Sequence, residues 1–218
     1  MNSEDVAAVA PVSIDLYWIP LGAGGHCVRF NGRVFEAISA ARERRPRRAL
    51  FHAALIVELD GERYAIELAP SHGDERSRGV VATGAVGSSA LGRLRLFRYE
   101  VRCWRSGRIP DLVYAVGGPR RLTDDPRHAR RLLDAIVSVP TPVWGRDDLA
   151  VGEMWNSNSM VAWVLAAAGL PAQTLRPPAQ GRAPGWDSGV AAARAQAATR
   201  AGSAAHACAN ASTASQSV

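Results

Sequence analysis

The segment FHAALIVELDGERYAIELA, residues 51–69, decides the fold. Two apolar, strand-forming runs, FHAALIVEL (51–59) and ERYAIELA (62–69), flank Asp60-Gly61, a preferred pair for a two-residue hairpin turn. Such a turn pairs Leu59 with Glu62, which sets Ala54 opposite Glu67 and His52 opposite Ala69. Cross-strand partners share a face, so the spacing predicts His52 and Glu67 on one face, one diagonal apart.

Outward from the hairpin, IDLYWI (14–19) reads as a strand ended by Pro20 and the glycines Gly22, Gly24 and Gly25. RVFEAISAARER (33–44) spaces Val34, Ile38 and Ala41 as a helix, which Pro46 stops. Residues 93–104 alternate through Leu94, Leu96 and Tyr99 to Trp104 and predict another strand. DDPRHARRLLDAIVSV (124–139) opens with aspartate caps and Pro126, then carries Leu132, Leu133 and Ile136 on a helix. GEMWNSNSMVAWVLAAAGL (152–170) places Met160, Trp163, Val164 and Ala167 at helical spacing, and Gly169 and Pro171 close it. Strands and helices in this order imply an α+β fold, a small antiparallel sheet packed with helices. Residues 1–11 are expected to be a flexible N-terminus and 12–187 one domain. Pro171, Pro177, Pro178 and Pro184 predict an extended wrap pinned by Trp186. From Ser188 on, 13 of 31 residues are alanine, and without large side chains to dock even a short helix, 188–218 reads as a disordered tail.

Composition narrows the function. With 218 residues, 47% of them hydrophobic, the chain can bury a core. A mean hydropathy of −0.07, with no apolar run near the roughly 18–20 residues that span a bilayer, leaves no integral membrane segment. Glu4 and Asp5 stand where a secretory signal would be basic, so a cytoplasmic protein is expected. The net charge of +6 comes wholly from arginine, since the sequence has no lysine. Arg42, Arg44, Arg45, Arg47 and Arg48 cluster without interleaved aromatic residues, which reads as a solvated helix end; nucleic acid is disfavoured as a partner. Cys27, Cys103 and Cys208 make no CxxC pair, and the five histidines show no ligand spacing. Neither a metal nor a cofactor is expected.

The chemistry-bearing residues converge on two places. His52 opens a strong strand, with Glu67 beside it, and Asn156-Ser157-Asn158-Ser159 opens a strong helix. A base, a carboxylate and a hydroxyl at a helix N-terminus compose a nucleophilic site: Ser157 attacks, His52 takes its proton, and Glu67 orients the imidazole. The backbone N–H of Ser157 and the side chain of Asn156 are candidate oxyanion donors. The same Asn and Ser residues also suit ordinary helix caps. Cys27, beside His26 and 25 residues before His52, is a rival nucleophile with no clear helix start behind it.

A His-initiated strand, a following strand with a polar partner and a later helix opening Asn-Ser-Asn-Ser resemble the circularly permuted NlpC-type papain-like superfamily. That group includes lecithin:retinol acyltransferase-like proteins and PPPDE-type peptidases. The resemblance rests on FHAALIVEL, ERYAIEL and WNSNSMVAWVLAAAGL, within about 120 residues. It implies a permuted papain-like domain over 12–187 acting on an amide or ester bond as hydrolase or acyltransferase. His52 would be the base, Glu67 the third polar residue and position 157 the nucleophile. The chain departs from that pattern with Ser157 in place of cysteine. A hydroxyl gains too little from a helix dipole to ionise, so it depends on His52 for proton removal. The implied partner is a small-molecule, peptide, glycan or lipid acyl substrate. The alternative is a catalytically inactive binding module that keeps the cleft without the chemistry.

Overall fold

Asp60 and Gly61 turn the chain with positive φ at both positions, 54° and 79°, the hairpin geometry their sequence demands. The computed structural model describes residues 10–23, 36–71 and 79–214, with side chains up to 203. Residues 1–9, Gly24, Gly25, His26 and Cys27 lie outside the described residues.

Six strands form, β1 (Ser13–Pro20), β2 (Phe51–Leu59), β3 (Glu62–Pro70), β4 (Val80–Ala85), β5 (Arg98–Arg105) and β6 (Arg120–Thr123). Four helices accompany them: α1, described over 36–42, α2 (Pro126–Ile136), α3 (Ser157–Ala167) and α4 (Trp186–Ala214). The architecture is α+β, with an antiparallel sheet in the order β4-β5-β3-β2-β1-β6. No helix among the described residues is long and apolar enough to cross a membrane.

Strand alternation splits the sheet into two faces. Leu16, Trp18, Leu55, Val57, Ile66, Leu68, Tyr99 and Val101 meet α2, α3 and α4 in the main core. Ile19, Ala54, Ile56 and Ala65 form a second, smaller cluster with Ile109, and Leu112 packs against it. By the same alternation His52 belongs with Ala54 and Ile56, and Glu67 with Ala65, on that second face. Every residue of α3 from Ser157 to Leu165 is buried, which explains why it is apolar around most of its circumference.

The hairpin register is Leu59 with Glu62 through Leu55 with Ile66, and there the β2–β3 ladder ends. The expected partners His52 and Ala69 are therefore not paired. β2 continues against β1, with His52 opposite Ile19, while β3 continues against β5, with Glu67 opposite Arg102. The two strands part at their open end. The edge of β2 exposed there is taken up by other segments: Phe51 N–H donates to Arg182 O at 2.8 Å, and Asn158 Nδ2 donates to Phe51 O at 3.0 Å.

Two further expectations need correction. The strand expected over 93–104 begins only at Arg98; 3-10 turns occupy Ala90–Arg93 and Arg95–Phe97, leaving Leu94 and Leu96 57% and 83% exposed. The cause is the lack of a partner strand, since β3 and β4 reach only to Tyr99 and Arg98 of β5. The tail expected to be disordered from 188 instead begins as part of α4, in which Trp186, Ser188, Val190 and Ala192 are buried. Its docking uses close approach rather than large side chains. A Cβ on Gly189 would lie 2.0 Å from Ser159 O, a contact only glycine permits. Trp186 does pin the wrap, its ring 5.0 Å from that of Trp18 and its Nε1 donating to Ala172 O at 2.9 Å. β4 and the arginine-rich edge strand β6 are not among the strands expected from the sequence; Arg121 ties β6 to Asp15 of β1 at 2.6 Å.

Candidate active site

The first turn of α3 is fastened by three of the four residues Asn156–Ser159. Asn156 caps the helix, its Oδ1 accepting from Asn158 N–H at 2.9 Å and Ser159 N–H at 3.4 Å, while Ser159 Oγ accepts from Asn156 N–H at 3.0 Å. The amides Asn156 Nδ2 and Asn158 Nδ2 both donate to Pro184 O, at 2.8 and 2.9 Å, and Ser159 Oγ donates to Gly185 O at 2.7 Å. Gly185, at φ 86°, lies so close that a Cβ there would meet the Asn156 side chain at 2.6 Å.

Ser157 is the exception. It is 9% exposed, yet among the described residues neither its Oγ nor its backbone N–H makes a hydrogen bond. The N–H belongs to the first turn, whose donors have no partner inside the helix. One of the two N–H groups of the Asn156 amide is spent on Pro184, whereas the Ser157 N–H makes no bond. Asn156 acts here as a positioning residue.

Ser157 faces a cavity of about 340 Å³ at the parted end of β2 and β3. His52, Glu67, Asp111 and Ser157 supply its polar wall, and Leu21, Leu68, Pro70 and Trp144 much of its apolar one. Thus a side chain from the helix layer and two from the opposite face of the sheet reach one space because the ladder stops short of them. No direct hydrogen bond joins His52 to Ser157 or to Glu67 among the described residues. Such contacts are often loose before substrate binds.

Burial holds the His52 imidazole below its ordinary pKa, against an upward pull from the Asp111 charge, so it is neutral at pH 7 and can accept a proton. Glu67 is raised by burial, with Arg102 acting the other way. Arg102 is itself fixed: its Nη1 meets Glu67 Oε1 at 3.1 Å, its Nη2 meets Glu100 Oε2 at 2.7 Å, and its guanidinium lies 5.3 Å from the Trp104 ring centre. Ser71 Oγ donates to Glu100 Oε1 at 2.6 Å behind it.

His52, Glu67 and Ser157 therefore share one cavity, while the orienting contact expected from Glu67 to His52 is replaced by a Glu67–Arg102 ion pair. Asp111, on the 3-10 stretch Pro110–Tyr114, was missed because an aspartate in an irregular loop carries no periodicity signal. Trp144, whose ring meets Tyr99 edge-on at 5.8 Å, was missed for the same reason. Cys103 is a poor nucleophile, its thiol pushed up to about 11 by burial. The arginine cluster is partly neutralised, since Arg45 pairs with Glu36 and Glu43, each at 2.5 Å. Among the described residues no group of three or more His, Cys, Asp or Glu could hold a metal ion. Comparison with known proteins finds no matching family model, no matching curated protein and no matching solved structure.

Proposed function

We propose that this chain is a hydrolase or acyltransferase acting on an amide or ester bond, in a permuted papain-like arrangement with serine as nucleophile. The observation that carries the reading is the contrast within Asn156–Ser159. Three side chains are spent on holding the helix, and the fourth, Ser157, its hydroxyl and N–H unengaged among the described residues, lines a cavity shared with a neutral histidine. A cap alone would not need that arrangement.

In this reading Ser157 Oγ attacks the substrate carbonyl carbon as His52 takes the hydroxyl proton. The oxyanion so formed meets the Ser157 N–H and the positive end of α3. His52 returns the proton to the leaving amine or alcohol as the carbonyl re-forms, leaving an acyl ester on Ser157. Water, or an acceptor nucleophile in a transferase, then releases the acyl group. Glu67, anchored by Arg102, keeps the cavity wall polar, and the apolar side suits an acyl chain or apolar residue of a small-molecule, peptide, glycan or lipid substrate. A cytoplasmic setting goes with this reading.

The test is covalent labelling by a fluorophosphonate probe across pH 6–9. Labelling that Ser157→Ala and His52→Ala both abolish is the expected result; no labelling of the folded protein overturns the proposal. The second reading, a binding module that keeps the cleft, draws on the lack of a direct Ser157–His52 hydrogen bond. It expects a ligand that raises the melting temperature equally in the wild type and in Ser157→Ala.

A further inference from the structure

We infer that Asp111 is the positioning carboxylate for His52, its charge drawing the imidazole N–H toward it so that the unprotonated nitrogen faces Ser157. This rests on the proposed Ser157–His52 site and assigns there a role that the hairpin spacing had suggested for Glu67.

The two carboxylates of the cavity stand differently. Glu67 is answered by Arg102 at 3.1 Å, and Arg102 is held in turn by Glu100 and by Pro70 O at 3.3 Å. Moving Glu67 Oε1 from Arg102 to His52 would leave Arg102, 8% exposed, with one fewer partner, so Glu67 has only Oε2 to offer. Asp111 lines the same cavity, and its side chain makes no hydrogen bond or ion pair among the described residues. Its charge nonetheless acts on His52 and on Glu67.

The segment carrying Asp111 is anchored on both sides. Ile109, 5% exposed, belongs to the cluster on the His52 face and Leu112 packs against it, while Val116 N–H donates to Trp18 O at 2.9 Å. Asp111 is thus presented from a fixed turn toward the face that bears the imidazole. Among the described residues, the charged groups that line the cavity with His52 are Asp111 from this turn and Glu67 from β3, with Arg102 of β5 behind Glu67. Of these, only Asp111 has both carboxylate oxygens without a hydrogen bond; Glu67 has Oε2 alone, since Oε1 is held by Arg102.

A neutral imidazole carries one N–H and one bare nitrogen, and which is which depends on the hydrogen bond made by the protonated one. A carboxylate accepting that N–H fixes the tautomer and stabilises the imidazolium formed during attack.

The experiment titrates the His52 ring by nitrogen NMR in the full chain, assigned with His52→Gln, for wild type, Asp111→Asn, Asp111→Glu and Glu67→Gln. Asp111→Asn is expected to lower the His52 midpoint by about half a unit to one unit and to change its tautomer signature. Asp111→Glu should restore both, and Glu67→Gln should move them less. A midpoint and tautomer unchanged in Asp111→Asn, or moved further by Glu67→Gln, overturn the inference. The titration needs no substrate, so absence of fluorophosphonate labelling in the wild type would defeat the hydrolase reading separately. Where labelling occurs, Asp111→Asn should slow it at least tenfold and shift its pH profile by the same amount as the NMR midpoint.

Discussion

Asn158, in the first turn of α3, donates its side-chain amide at 3.0 Å to the carbonyl of Phe51, the residue immediately before His52. One bond thus ties the element that carries Ser157 to the strand that carries His52, at the place where β3 has left the edge of β2 open.

That tie can be cut. Asn158→Ala leaves the Phe51 carbonyl without its donor and removes one of two donors from Pro184 O. A buried acceptor left unmet costs about 1–3 kcal/mol, so the urea midpoint should fall accordingly. Labelling at Ser157 should slow even under conditions where the variant is fully folded, because the two elements lose register. An unchanged midpoint with unchanged labelling would show that the bond positions nothing.

Ser157 and Ser159 differ by two positions and should respond in opposite ways. Ser157→Ala removes a hydroxyl with no partner, and a shift within about 0.5 kcal/mol is expected alongside complete loss of labelling. Ser159→Ala removes a capping contact and a bond to Gly185 O, at a cost of about 1–2 kcal/mol. Chemical denaturation of both variants decides the matter; equal destabilisation would mean that Ser157 also serves the helix.

Replacing Ser157 by cysteine gives a direct measure of the electrostatics. A thiol at the start of α3, beside His52, should be alkylated by iodoacetamide well before Cys103, whose thiol is held near 11. Peptide mapping after a short exposure distinguishes the two. Alkylation of Ser157→Cys no faster than that of Cys103 would mean that the histidine is not poised.

The pH dependence has a definite sign. His52 acts as a base only when neutral, and its folded pKa lies below the ordinary 6.5. The labelling rate should therefore rise with pH through a midpoint below 6.5 and then level off, staying flat to pH 9. For stability, a depressed folded pKa means that the His52 contribution is whole above 6.5 and is lost as pH falls through the folded value. Glu67, shifted upward, works in the opposite sense, so the difference between wild type and His52→Gln isolates the histidine. A labelling midpoint above 6.5 would contradict the burial that sets the shift.

The C-terminal helix supplies another check. Ending the chain after Asp187 exposes the pockets of Val190 and Ala192 and should destabilise by at least about 1.5 kcal/mol, the value of burying one valine. Ending it after Ser203, where the last several residues are exposed, should change little. Gly189→Ala, with a Cβ 2.0 Å from Ser159 O, should disturb the α3–α4 packing as severely as the longer truncation. Thermal melts of the three variants rank these effects.

Elements with a local signature are legible in the sequence itself. The Asp60-Gly61 turn set the hairpin register, Asp125 and Pro126 marked the start of α2, and Gly169 and Pro171 the end of α3. Where a segment's state depended on a distant neighbour, the pattern misled. Leu94 and Leu96 alternate like a strand yet have none beside them, and α4 docks through small residues that hydropathy hardly registers.

The same division holds for the site. Sequence alone determined that His52 and Glu67 share a face and that Ser157 begins a helix, because period-2 and period-3.6 geometry follow from the backbone. Only the tertiary structure decided that the β2–β3 ladder ends at Leu55 and Ile66, opening the space that Ser157 and His52 both line. It alone gave Glu67 to Arg102 and brought Asp111 to the cavity. Those pairings join residues 35 or more positions apart, and which oppositely charged or polar groups meet across such distances is set by how whole layers pack, not by any local spacing.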